Sequence, residues 1–146
     1  MRFDIIWLNG TSGSGKTTLA KELQARLDDH FLHVCFDTFY KMLPARFKPS
    51  TPADSKYAER VHLGFEYSIP ALAKGGNRLI VDYPFHYADS LPRCLDLVSP
   101  YSLLYVGVFC PIEILEQREV ARGDRKIGLA PYQASRVHLN SEYDIE

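Results

Sequence analysis

Apolar residues gather in short unbroken runs, and three of those runs end on polar chemistry. Phe3–Leu8 stops at Asn9-Gly10, Phe31–Phe36 stops at Asp37, and Arg78–Val81 stops at Asp82. A fourth run, Ser102–Phe109, holds Leu103-Leu104-Tyr105-Val106-Gly107-Val108. Short apolar runs without alternation read as strands covered on both faces. Between them the spacing turns helical. Lys16–Leu27 carries Leu19, Leu23 and Leu27 every fourth residue, and Ala53–Lys74 repeats Tyr57, Val61, Phe65 and Leu72 before halting at Gly75-Gly76. Further helices are predicted over Asp89–Val98, from Pro111 through Ile112 and Leu115 toward Gly123, and over Ala130–Leu139. Residues 41–56, with Pro44, Pro49 and Pro52, read as a loop.

Strands alternating with helices predict a single α/β domain over residues 1–146, with a mostly parallel sheet covered by helices on both faces. Tyr143-Asp144-Ile145-Glu146 looks like the start of a fifth strand, with no helix after it. The expectation is therefore either an unusually short protein or a truncated copy, in both cases lacking the final helix.

Composition narrows the partners. A formal net charge of −1 leaves no basic surface for nucleic acid or an anionic membrane, which points to a small molecule in a local pocket. The odd cysteine count, with Cys35, Cys94 and Cys110 far apart, predicts free thiols rather than a disulfide framework. The run Ile5-Ile6-Trp7-Leu8 is too short for a signal peptide or a membrane span, so a cytoplasmic location is expected. The histidines are scattered with no two spaced as a ligand pair, so zinc is not expected.

Gly10-Thr11-Ser12-Gly13-Ser14-Gly15-Lys16-Thr17 fits G-x-x-x-x-G-K-[ST], with a predicted strand before it and a predicted helix after it. Glycines let backbone amides turn inward around phosphates, and the helix start, with Thr17 and Thr18 in its first turn, aims its positive end at the same anion. Lys16 would reach the β- and γ-phosphates of ATP, and the Thr17 hydroxyl would ligate Mg2+.

In an open parallel sheet ligands bind beyond the carboxyl ends of the strands. Asp82, closing its strand, has the position of a second magnesium-site acid, or else caps a turn. Asp37, closing another, is a candidate base for an attacking hydroxyl, or else the N-cap of a short helix. Arg118, Arg122 and Arg125 fall at i, i+4 and i+7 beside the hinge-like Gly123. They read either as a lid around residues 118–130 closing over ATP, or as a solvated face paired with Glu116, Glu119 and Asp124. Two aromatic groups, Phe36, Phe39, Tyr40 and Phe47, then Tyr83, Phe85 and Tyr87, either line an acceptor pocket or pack the core.

With these residues in view, the chain resembles the chloramphenicol phosphotransferase family. The likeness lies in Leu8-Asn9-Gly10, Asp37, Asp82, Tyr105-Val106-Gly107-Val108, Cys110, Arg118-Glu119 and Ala121-Arg122-Gly123-Asp124-Arg125, then Gly128, Gln133, Val137-His138 and Glu142-Tyr143-Asp144. The resemblance implies a three-layer P-loop NTPase fold and an ATP-dependent kinase acting on a primary hydroxyl of a small aromatic antibiotic. It implies Asp37 as base and Arg118, Arg122 and Arg125 as lid arginines. Where family members often carry a second acid or a small residue after the strand-end aspartate, this chain has Tyr83-Pro84, and the stretch Met42–Tyr57 is its own. Family members continue past Tyr143-Asp144 through a strand, a loop and a helix. Two other functions stay open at this point. One is a metabolic kinase for a nucleoside or a hydroxy acid, the latter needing a basic pocket near Asp37, with Arg46 and Lys48 in the right stretch for it; the other is a nucleotide-binding protein with little turnover. The chain has neither N-K-x-D nor D-x-x-G, which argues against a guanine-nucleotide switch.

Overall fold

The computed structural model describes residues 3–45, 56–85, 87–123 and 127–146. Four strands, β1 (Ile5–Asn9), β2 (Phe31–Cys35), β3 (Arg78–Asp82) and β4 (Leu103–Gly107), form one sheet in the order β2-β3-β1-β4. Every pairing is parallel. The central strand β1 is buried along its whole length, which is why its sequence is continuously apolar. Ile5 and Trp7 face one side, Ile6 and Leu8 the other.

Each face receives its own helices. On one, Leu19, Leu23 and Leu27 of the segment containing α1 (Lys16–Arg26) pack on Ile6, Leu8, Phe31 and Ile80. On the other, α3 (Lys56–Lys74) contributes Phe65, Ile69 and Ala73, and α4 (Ser90–Val98) contributes Leu91, Cys94 and Val98, all against Trp7, Leu79 and Val81. Burying each such large side chain contributes roughly 1.5–3 kcal/mol over leaving it in water. Three short helices complete the fold: α2 (Phe36–Lys41), α5 (Ile112–Arg122) and α6 (Leu129–Ala134). No described helix is long and apolar enough to cross a membrane.

Several boundaries differ from the sequence expectation. The second strand ends at Cys35, and Phe36 opens α2. Phe36, Phe39 and Tyr40 stand at i, i+3 and i+4, a helical face that the adjoining strand run conceals. The fourth strand ends at Gly107 instead of Phe109, although the Val108 amide still donates to Asn9 O at 2.7 Å. Pro111 is the residue before α5 instead of lying in its first turn. The last helix stops at Ala134, after which the Arg136 and Leu139 amides make tighter three-residue turns, to Gln133 O at 2.9 Å and Arg136 O at 3.0 Å. The expected fifth strand appears as a parallel bridge between Ile145 and Val106, with the Gly107 amide donating to Ile145 O at 2.8 Å.

Candidate active site

The registers Leu8↔Asp82, Cys35↔Asp82 and Asn9↔Gly107 place the carboxyl ends of all four strands in one row. The loop from Gly10 to Gly15 leaves that row and returns as α1. A Cβ on Gly10 would lie 2.3 Å from Val108 O, so only glycine lets the loop start flush against β4. Gly15 has φ 106°, in the left-handed region that glycine alone adopts without strain. No side chain caps α1, and its first turn holds no acidic residue. The positive end of the helix therefore meets no protein carboxylate of its own first turn, which suits an anion. Ser14 Oγ is buried with no hydrogen-bond partner among the described residues. These features fit the phosphate chain of a nucleotide.

Lys16 is buried and donates from Nζ to Gly10 O at 2.7 Å and Thr11 O at 2.8 Å, so the loop carbonyls hold its charge at the cradle's mouth. The Thr17 hydroxyl donates to Asp82 Oδ2 at 2.6 Å, and Lys16 Nζ lies 4.0 Å from Asp82 Oδ1. Burial pushes the Asp82 carboxyl up, but the His33 imidazole 3.6 Å away, the Lys16 ammonium and the Thr17 hydroxyl outweigh it and leave it below its ordinary value. An ionised carboxylate beside a hydroxyl is an oxygen pair of the kind a hard divalent ion takes, so Thr17 and Asp82 fit magnesium.

Asp37 is half-buried in the first turn of α2. The residue before that helix is Cys35, and no side chain caps it, so the N-cap alternative for Asp37 is not what forms. The half-buried Cys35 thiol is raised above its ordinary pKa by burial first, then by the Asp82 and Asp37 charges, which places both carboxylates in its neighbourhood.

Arg118, on exposed α5, donates to Gly13 O at 2.7 Å and so sits on the outer rim of the loop. Arg122 ends α5 one turn further on, exposed, and Arg125 with Asp124 lies outside the described residues. The carboxylate between the arginines acts differently from an ion-pair partner: Glu119 accepts from the Gly128 amide at 2.8 Å and the Ala130 amide at 2.9 Å, capping α6. Arg46, Phe47 and Lys48 lie outside the described residues as well.

The aromatic groups divide. Phe36, Tyr83 and Phe85 are core, while Phe39, Tyr40 and Tyr87 are half-buried. Tyr83 belongs to a buried polar network. Its hydroxyl lies 2.7 Å from His62 Nδ1 and donates to Glu66 Oε1 at 2.9 Å. Glu66 also accepts from Ser90 Oγ at 2.7 Å and from Arg93 Nε at 2.6 Å. Burial, then the Glu66 charge, raises the Tyr83 phenol well above its ordinary value, so it stays neutral.

Two contacts escaped the sequence reading. Asn9 is fully buried; its Oδ1 accepts from the Phe85 amide at 2.9 Å. Its Nδ2 lies 2.7 Å from Val137 O, 2.8 Å from Tyr143 Oη and 3.0 Å from Tyr105 Oη. Buried Gln133 accepts the Ser12 amide through Oε1 at 2.7 Å. The one sequence signal was a polar residue closing an otherwise apolar strand, directly before the loop.

Known proteins resemble this chain in sequence and in fold. The chain matches the family model described as chloramphenicol phosphotransferase-like protein over residues 3–146. It is 30% identical over 164 residues to a Mycobacterium tuberculosis H37Rv protein provisionally named an O-phosphotransferase, covering 97% of this chain and 73% of that one. Among solved structures it resembles the Mycobacterium tuberculosis APS kinase CysC in complex with AMPPNP and APS, with TM-score 0.72 and 17% identity over 99% of this chain and 87% of that one. It also resembles the Deinococcus radiodurans tunicamycin resistance protein, with TM-score 0.70 and 18% identity over 99% and 86% of the two chains. At these identities the structures speak for the fold, that of the P-loop kinases. The match along nearly the whole chain, on a phosphate loop backed by Lys16, Thr17 and Asp82, leads to one assignment: the chain belongs to the chloramphenicol phosphotransferase-like family of P-loop phosphotransferases.

Proposed function

We propose that this protein transfers the γ-phosphoryl group of ATP to a hydroxyl of a small-molecule alcohol, as an antibiotic-inactivating kinase of the chloramphenicol type. The observation that carries the reading is the convergence of Lys16, Thr17 and Asp82 at the strand ends, with Asp37 one strand away.

In this mechanism the loop amides and the start of α1 bind the phosphates and fix their orientation. Lys16 exchanges its two loop carbonyls for phosphate oxygens and offsets the charge that develops during transfer. Thr17 and Asp82 would hold magnesium, which supplies further neutralisation of the phosphates when bound. Asp37 accepts the proton of the attacking hydroxyl. It stands in the first turn of α2, directly after β2, at the strand-end row. Arg118 and Arg122 form part of a lid over residues 118–130 that excludes water and adds fixed donors. The half-buried Phe39, Tyr40 and Tyr87 suit an apolar or aromatic acceptor near Asp37.

The test compares wild type with Asp37→Ala, using chloramphenicol as the first acceptor in a panel of small alcohols. Transfer should fall by roughly 10²–10⁴-fold, with ATP affinity by calorimetry unchanged. Transfer that survives in the variant would remove Asp37 from the mechanism.

A further inference from the structure

His33, Cys35 and Asp82 form a group whose ligating atoms all lie within 4.8 Å of one another. The sheet creates it. His33 and Cys35 are two apart on β2 and share a face, and Cys35 is in register with Asp82 on neighbouring β3. His33 Nε2 is buried, has no hydrogen-bond partner among the described residues, and stands 3.6 Å from Asp82 Oδ2. The buried imidazole nitrogen thus has the carboxylate as a longer-range partner without a hydrogen bond, and it stands beside a thiol as well.

We propose that His33 Nε2, Cys35 Sγ and the Asp82 carboxylate bind a borderline divalent ion such as zinc or cobalt, and that this ion withdraws Asp82 from Thr17. The donor set decides the ion. Imidazole and thiolate favour zinc and its neighbours, whereas magnesium takes oxygen. Metal–ligand bonds of about 2.0–2.3 Å put tetrahedral donors roughly 3.3–3.6 Å apart. The histidine–aspartate pair already meets that spacing, and the thiol closes the rest by side-chain rotation. Three protein ligands leave a fourth position for water. Binding releases the Cys35 proton to solvent, so thiolate and carboxylate together balance the dication. Lys16, 4.0 Å from the other carboxylate oxygen, is a cation that limits affinity without blocking the ligating oxygen. The effect on turnover rests on Asp82 serving magnesium, as proposed above; the metal site itself does not.

The experiment adds Co2+ alone to the nucleotide-free full chain and records the thiolate-to-cobalt charge-transfer band. Wild type should show it at one equivalent, Cys110→Ser should keep it, Cys35→Ser should lose it, and Zn2+ should abolish it on displacement. Absence of the band in wild type, or its survival in Cys35→Ser, overturns the site. X-ray absorption on the zinc-loaded wild type provides a reading that needs no variant: one sulfur with nitrogen and oxygen supports the site, and a sulfur-free shell overturns it. A second arm measures Mg-ATP turnover with added Zn2+. Inhibition in wild type but not in Cys35→Ser supports the coupling, and equal inhibition of both overturns it. A chain that binds cobalt as described yet phosphorylates no acceptor defeats the kinase reading and leaves the metal site standing.

Discussion

At the scale of single residues, Lys16 is a buried ammonium held by two carbonyl oxygens and a nearby carboxylate. Lys16→Ala removes the loop's own cation, so ATP binding and turnover should both be lost, with no heat of association in calorimetry. Gly10 is constrained by contact instead of charge. In Gly10→Ala the new methyl meets the backbone oxygen of Val108, which has no rotamer to yield, and thermal unfolding should report a loss of about 1–3 kcal/mol. Both residues were legible in the sequence because the phosphate loop is a local device: its glycines, lysine and threonine act within a few positions of one another. Asn9 was not, since its partners Val137 and Tyr143 stand 128 and 134 positions away. Glu119 read as an ion-pair residue because spacing on a helix face cannot show that the carboxylate reaches across a turn to the amides of another helix.

Among elements, β1 and β3 were readable because burial on both faces leaves a sequence almost no polar choice, and the long helices because one apolar face recurs at helical spacing. α2 was not, since its apolar residues satisfy either period once joined to β2. Two contacts between elements carry predictions. Glu119 ties α5 to the start of α6, and Glu119→Ala should cost about 0.5–2 kcal/mol, as a lost cap does, with faster hydrogen exchange at the Gly128 and Ala130 amides. Glu66 joins α3 to α4 and to Tyr83 from a fully buried position. Removing it takes the buried acceptor from two hydroxyls and one of two carboxylate partners from Arg93, which keeps Asp89, so Glu66→Ala should lower stability by about 1–3 kcal/mol in denaturant unfolding.

For the whole molecule, acid should act on the strand-end row. Asp82 is held below its ordinary 3.8 in the folded chain, so its ionised form favours folding. That contribution is present above the unfolded value and is lost as pH falls through the lower folded one. Unfolding midpoints of wild type and Asp82→Asn should differ at neutral pH and converge in the acid range below 3.8; a gap that stays constant would deny Asp82 the assigned role. The strand order was beyond the sequence pattern, because equivalent apolar strands carry no label for their neighbours. The buried amide of Asn9 has a consequence for biogenesis. The residue one position ahead of the phosphate loop is completed by groups the ribosome delivers 128 and 134 residues later, so the nascent chain holds an unfinished cradle until they arrive. ATP capture should switch on abruptly as Val137 to Tyr143 leave the exit tunnel, and a ribosome stalled just short of them should display a chain that cannot yet retain the nucleotide.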